Sequence, residues 1–102
     1  MSFISRIFYG GTDLLFSVFL FFAPQIAGLD LVTFFMFGRA MMTLVGAHIT
    51  PYTMESKIFY GGSDVLMGLF LLANASALGG MTGNFGLFML IRGIMTWANI
   101  EI

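Results

Sequence analysis

One nine-residue stretch occurs twice, and this repetition constrains the fold more than any other feature of the chain. Residues 7–15 recur at 58–66, 51 positions later, with seven of nine residues identical. Residues 35–43 recur at 88–96, 53 positions later, with five of nine identical. Self-similarity at a fixed period is the signature of a repeated structural unit. The sequence therefore predicts a tandem duplication, with repeat 1 at about 3–50 and repeat 2 at about 54–102.

The composition indicates that most of the surface meets lipid. Of the 102 residues, 59% are hydrophobic and 9% are charged, and the mean hydropathy is +0.98. Soluble domains have roughly a quarter of their residues charged. The net charge of −1 argues against a nucleic-acid partner, which would require a basic surface. The chain has no cysteine, which excludes disulfides and thiol chemistry.

Four apolar segments approach the length of about 20 residues that crosses a bilayer. They are predicted at 3–23, at 29–49, from the 51–56 loop to 77, and from 82 or 84 to 98. Pro24 and Pro51 end the first two. Short loops make consecutive helices antiparallel neighbours. The predicted fold is an all-α integral membrane domain spanning residues 1–102. Its four transmembrane helices form two tandem-repeated helical hairpins, a parallel repeat with a pseudo-twofold axis along the membrane normal.

The distribution of basic residues predicts the orientation of these helices. Arg6, His48 and Lys57 lie on the side of the termini and of the central loop, whereas the two hairpin tips contain no lysine or arginine. Cytoplasmic loops of membrane proteins are enriched in basic residues. Both termini are therefore predicted to face the cytoplasm.

Each repeat carries one aspartate and one arginine inside an apolar segment. Asp13 and Arg39 lie at one depth, about 15 Å from the first hairpin tip at 1.5 Å per residue. Asp64 and Arg92 repeat this arrangement at the second tip. An unpaired charge at mid-membrane costs about 2.5–3.5 kcal/mol. The sequence predicts two intramembrane ion pairs, Asp13–Arg39 and Asp64–Arg92. The swapped pairs, Asp13–Arg92 and Asp64–Arg39, fit the depths equally well.

Small and polar residues occur at helical spacing around these charges. Small residues let membrane helices approach closely, and residues three or four apart share a helix face. The residues predicted to mediate helix packing are Gly10, Gly11, Ser17, Gly46, Gly61, Gly62 and Gly68, and those predicted to give polar support are Thr43, Thr96 and Asn99. Neither a metal site nor a cofactor is predicted, because the nine methionines are better explained as core filler.

Two functional hypotheses follow. The first is a small non-enzymatic membrane subunit that packs within a larger multi-subunit complex and stabilises it. Its expected partners are membrane lipids and other integral membrane subunits or copies of itself. The alternative is a homo-oligomeric ion or proton channel, or a small transporter, in which Asp13 and Asp64 line the path. A filament subunit ranks below both. An enzyme is the least favoured class, because the sequence shows no nucleophile–base pair.

Overall fold

The computed structural model describes residues 3–45 and 54–98, and all of its regular elements are helical. Two predicted site residues, Gly46 and Asn99, lie outside the described residues, as does His48. Helix α1 is Phe3–Phe21 and α2 is Leu29–Leu44. An α-helix at Met54–Ser56, a π-helix at Lys57–Gly62 and an α-helix at Ser63–Ala73 follow without a break and form α3. Helix α4 is Ala75–Leu78 and α5 is Thr82–Trp97.

The described residues divide into two compact units, which we call unit 1 (3–45) and unit 2 (54–98). In unit 1, α1 packs against α2, and in unit 2, α3 packs against α5. The contacts in unit 1 join Asp13 to Arg39 and the earlier Gly10 to the later Leu44, so α1 and α2 are antiparallel. Each unit is thus a helical hairpin. Their assembly into a single four-helix domain stays a prediction.

The connection between α1 and α2 lies where the proline predicted it, although α1 ends two residues earlier than expected. The amides of Phe22 and Ala23 donate to the carbonyls three residues before them, both at 3.2 Å, so the last turn is tighter than an α-helical turn. Gly28 has a φ of 87°, a left-handed conformation that glycine adopts without strain. Pro24 and Gly28 therefore bracket the reversal of the chain.

The predicted third helix is shorter than expected and ends at Ala73 instead of 77. Asn74 donates from its side-chain Nδ2 and from its backbone amide to the same carbonyl, that of Phe70, at 2.9 and 3.1 Å. A side-chain bond of this kind competes with continuation of the helix. The short α4 follows, and Gly79 and Gly80, with φ values of 70° and 58°, turn the chain into α5.

The two copies of the repeated stretch differ in helical geometry. The first copy is regular α-helix, whereas residues 57–62 of the second form a π-helix. The Trp97 indole Nε1 donates to the Lys57 carbonyl oxygen at 3.1 Å. A wider turn of this kind leaves carbonyl groups available to a partner outside the helix. The indole of Trp97 thus supplies a hydrogen bond to the turn in which the two units differ.

One helix in the described part of the chain is long and apolar enough to cross a membrane, at Ile4–Phe21 in α1. Helices α2 and α5 each have 16 residues as described, and α3 contains the π-helical turn. The predicted end of the second span, at 49, lies outside the described residues. The structure is therefore all-helical with one candidate span, and four spans stay a prediction.

Candidate functional site

Unit 1 contains a fully buried ion pair between its two helices. The Arg39 Nε donates to Asp13 Oδ2 and the Arg39 Nη2 donates to Asp13 Oδ1, both at 2.8 Å. Both side chains are 0% exposed. Two parallel N–H···O bonds from one guanidinium to one carboxylate are the strongest and most directional form of this interaction. The pair therefore fixes the register of α1 against α2.

Unit 2 contains the same arrangement. Arg92 donates from Nε to Asp64 Oδ2 at 2.8 Å and from Nη2 to Asp64 Oδ1 at 2.7 Å. The Arg92 guanidinium also lies 6.0 Å from the centre of the Phe88 ring, at the outer limit of a cation–π contact. Of the two pairings that the sequence left open, the structure has the one within each hairpin. The position of these pairs inside a membrane stays a prediction.

The two predicted polar-support threonines act through the helix backbone. Thr43 Oγ1 donates to the Arg39 carbonyl oxygen at 2.9 Å, and Thr96 Oγ1 donates to the Arg92 carbonyl oxygen at 3.0 Å. Each bond reaches back one turn, the usual way for a threonine inside a helix to satisfy its hydroxyl. Their support therefore includes the backbone of the arginine's own turn.

Arg6, one of the basic residues that predict the orientation, also caps the end of α2. Its Nε and Nη2 donate to the carbonyl oxygens of Thr43 and Leu44, at 3.3 and 3.4 Å. The last carbonyls of a helix lack partners within the helix, and a cation there also offsets the helix dipole. The predicted antiparallel register places the start of α1 beside the end of α2. This contact could therefore have been predicted from the sequence.

Glycines bring the two helices of unit 2 into backbone contact on both sides of the ion pair. Gly61 and Gly68 in α3 face Gly93 and Gly86 in α5. A Cβ added at Gly68 would lie 2.7 Å from the Gly86 oxygen, and one added at Gly93 would lie 2.9 Å from the Gly61 oxygen. Small residues at helix interfaces permit this approach. Gly86 and Gly93 were not among the predicted packing residues, although their spacing of seven matches that of Gly61 and Gly68.

The remaining predicted packing residues differ in their surroundings. Gly10 lies against α2, where an added Cβ would be 2.6 Å from Leu44 Cγ. Ser17 is buried and its Oγ donates to the Leu14 carbonyl oxygen at 2.9 Å. Gly11 and Gly62 have nothing within 4 Å of an added Cβ. These two glycines therefore do not form the close helix contact that was predicted, within the units as described.

The chemistry of this site is electrostatic neutralisation. An arginine guanidinium keeps its proton in proteins, so each aspartate faces a permanent countercharge. Among residues 3–45 and 54–98, no group of three or more His, Asp or Glu residues could hold a metal ion. Comparison with protein-family models, with curated proteins and with solved structures gives no match. The fold and site define the class: an all-helical chain of two hairpin units, each closed by a buried Asp–Arg pair.

Proposed function

We propose that the chain is a small, non-enzymatic integral membrane subunit that packs within a larger multi-subunit membrane complex and stabilises it. One contrast supports this proposal. The four charged groups near the middle of the long helices, Asp13, Arg39, Asp64 and Arg92, are buried and paired, whereas many of the exposed side chains are large and apolar. Phe22 is 87% exposed, Leu31 is 76% exposed and Leu66 is 71% exposed. Such a surface requires lipid or protein to cover it.

We further propose four membrane spans, arranged as two tandem hairpins with both termini in the cytoplasm. Each long helix exposes several large apolar side chains: Ile4, Ile7 and Leu15 in α1; Leu31 and Phe34 in α2; Ile58, Leu66 and Leu69 in α3; and Leu87, Ile91 and Ile94 in α5. Soluble monomers rarely expose continuous apolar patches of more than a few hundred Å². The apolar surface of the three helices besides α1 supports their insertion as well.

Cysteine accessibility of the tagged chain tests the membrane topology, because the parent chain has no cysteine and takes up no label of its own. We expect Gln25→Cys and Ser76→Cys, at the two tips, to react with a membrane-impermeant maleimide added to intact cells. Glu55→Cys, on the opposite side, will react only after permeabilisation. All three positions are exposed. Labelling of Gln25→Cys and Glu55→Cys from the same side would contradict the topology.

Leu66→Cys is the matched control for burial in lipid. Leu66 is exposed but lies two residues after Asp64, at the predicted centre of the membrane. We expect this cysteine to remain unlabelled in permeabilised cells and to react once the protein is denatured. Labelling as rapid as that of Gln25→Cys would show that α3 is in water, and the membrane proposal would then be wrong.

Gentle extraction tests the subunit proposal. We expect the tagged chain, solubilised in a mild detergent, to co-purify with larger integral membrane proteins in a fixed ratio, identified by mass spectrometry. The control is another tagged membrane protein of similar size and expression, extracted in parallel. A chain that elutes alone as a monomer contradicts the proposal.

A clean homo-oligomer in the same experiment would favour the alternative, a channel or small transporter. Ion or proton flux in liposomes, abolished by Asp64→Asn, would then be the decisive measurement. The bonding in each pair favours the structural role, because both carboxylate oxygens of each aspartate accept from a permanently charged arginine. An acid that relays protons needs to be released from such a partner.

A further inference from the structure

The two hairpins differ on the tip side of their ion pairs. In unit 2 the two helix backbones are in contact there, at Gly68 and Gly86. A Cβ added at either glycine would lie within 3 Å of the other's carbonyl oxygen. The repeat offsets of 51 and 53 place Ser17 and Thr33 at the equivalent positions of unit 1. The two glycines of unit 2 have only a hydrogen atom as their side chain, whereas Ser17 and Thr33 of unit 1 carry hydroxyl groups.

Thr33 is buried without satisfying its hydroxyl. It is 2% exposed, and its Oγ1 has no hydrogen-bond partner in the described part of the chain. Buried polar side chains nearly always have a partner, either in the protein or in ordered water. Thr43, in the same helix, shows the usual solution, because its hydroxyl donates to a carbonyl one turn back. The Thr33 hydroxyl is therefore available to a bound molecule.

Ser17 supplies a second polar group on the facing helix. It is fully buried, and its Oγ donates to the Leu14 carbonyl. A serine hydroxyl that donates one bond still has lone pairs to accept another. Starting from the Asp13–Arg39 pair, Ser17 lies one turn toward the tip on α1, and Thr33 lies toward the tip on α2. The antiparallel register thus places both hydroxyls on the same side of the pair.

We propose that unit 1 binds one water molecule between α1 and α2, held by the hydroxyls of Thr33 and Ser17. Water fits because it both donates and accepts, and because buried waters bind to polar groups that the protein leaves unsatisfied. At this level of unit 1 two side chains occupy the positions where unit 2 has glycine hydrogens, so a ligand here must be small. The proposal concerns unit 1 alone and does not depend on the partner complex proposed above.

Nuclear magnetic resonance tests this directly on the full chain in detergent micelles. The protein is deuterated except for its threonine methyl groups, and magnetisation transfer from water to each methyl is measured. We expect transfer to the Thr33 methyl from a long-lived bound water. The control is Thr96, a buried threonine of unit 2 whose hydroxyl donates to a carbonyl, at which we expect no transfer. Absence of transfer at Thr33 would overturn the proposal.

The variant Thr33→Val adds a second test, because a bound water and an unpaired hydroxyl predict opposite changes of the melting temperature. Valine keeps the shape of threonine and removes only its hydroxyl. If the hydroxyl holds a water, the variant displaces it and the melting temperature falls. If the hydroxyl is simply unpaired, its removal raises the melting temperature and overturns the proposal. Thr43→Val, which removes a hydroxyl bonded to a carbonyl, gives the ordinary effect of this substitution for comparison.

Discussion

Asp13→Asn will lower the free energy of unfolding by about 3–5 kcal/mol, the usual effect of removing one partner from a buried ion pair. Asparagine has nearly the same shape, so packing is kept while the charge is lost. The Arg39 guanidinium then stays buried without a countercharge, since both side chains are inaccessible to solvent. The purified protein is titrated with a denaturing detergent, and circular dichroism monitors its unfolding.

Double variants distinguish two causes of lost stability: an uncompensated charge and a change of side-chain shape. We expect Asp13→Leu with Arg39→Leu to recover most of the stability that Asp13→Leu alone loses, because two apolar residues need no countercharge. The matched control is Asp13→Leu with Arg92→Leu, which breaks one pair in each unit. Its two effects should add, since residues with no shared partner are energetically independent.

The opposite pattern would contradict the pairing. Recovery in the Asp13 and Arg92 combination, with none in the Asp13 and Arg39 combination, would show that the protein uses the swapped arrangement. Equal instability of the Asp13 and Arg39 double variant and of its single variants would show that these charges do not interact. Either result removes the basis for treating the pairs as the element that holds each hairpin in register.

The residues of the ion pairs could be identified from the sequence because strong constraints act on them. A charge inside an apolar helix has few tolerable environments, and equal depth from a short loop limits the choice of partner. Pro24 similarly predicted the end of α1 to within two residues, since proline cannot continue a helix. Depth could not separate the two pairings, however, because both repeats place their charges at the same level. Only the packing within each hairpin does so.

Features that depend on the facing helix were not predictable in the same way. The π-helical turn at residues 57–62 has the same motif as the α-helical first copy, so its cause lies outside the motif. The structure shows Trp97 against Gly61, where the first repeat has Leu44 against Gly10. The end of α3 at Ala73 also involves the side-chain bond from Asn74 to the Phe70 carbonyl, which competes with continuation of the helix. Local propensity does not decide such competition.

Three glycine-to-alanine variants in α3 should distinguish the effect of close contact with α5 from the effect of helix propensity on stability. Gly68→Ala will destabilise unit 2 by about 1–3 kcal/mol, the usual range for overpacking. Its Cβ would lie 2.7 Å from the Gly86 oxygen and 2.9 Å from the Leu90 nitrogen, both backbone atoms, so the helices must separate. Gly61→Ala should also destabilise unit 2, because the atoms nearest its Cβ belong to the Trp97 indole, and displacing this ring breaks its hydrogen bond to the Lys57 carbonyl.

Gly62→Ala is the control, because it measures the effect of helix propensity without a contact to α5. Gly62 has helical φ and ψ of −63° and −46°, and an added Cβ would have nothing within 4 Å. Alanine is favoured over glycine inside a helix by up to about 1 kcal/mol, so we expect this variant to be more stable than the parent. The same detergent titration measures all three. If Gly68→Ala is as stable as Gly62→Ala, α3 and α5 are not in backbone contact. The register of α3 against α5 would then rest on the Asp64–Arg92 ion pair and on the hydrogen bond from Trp97 to the Lys57 carbonyl.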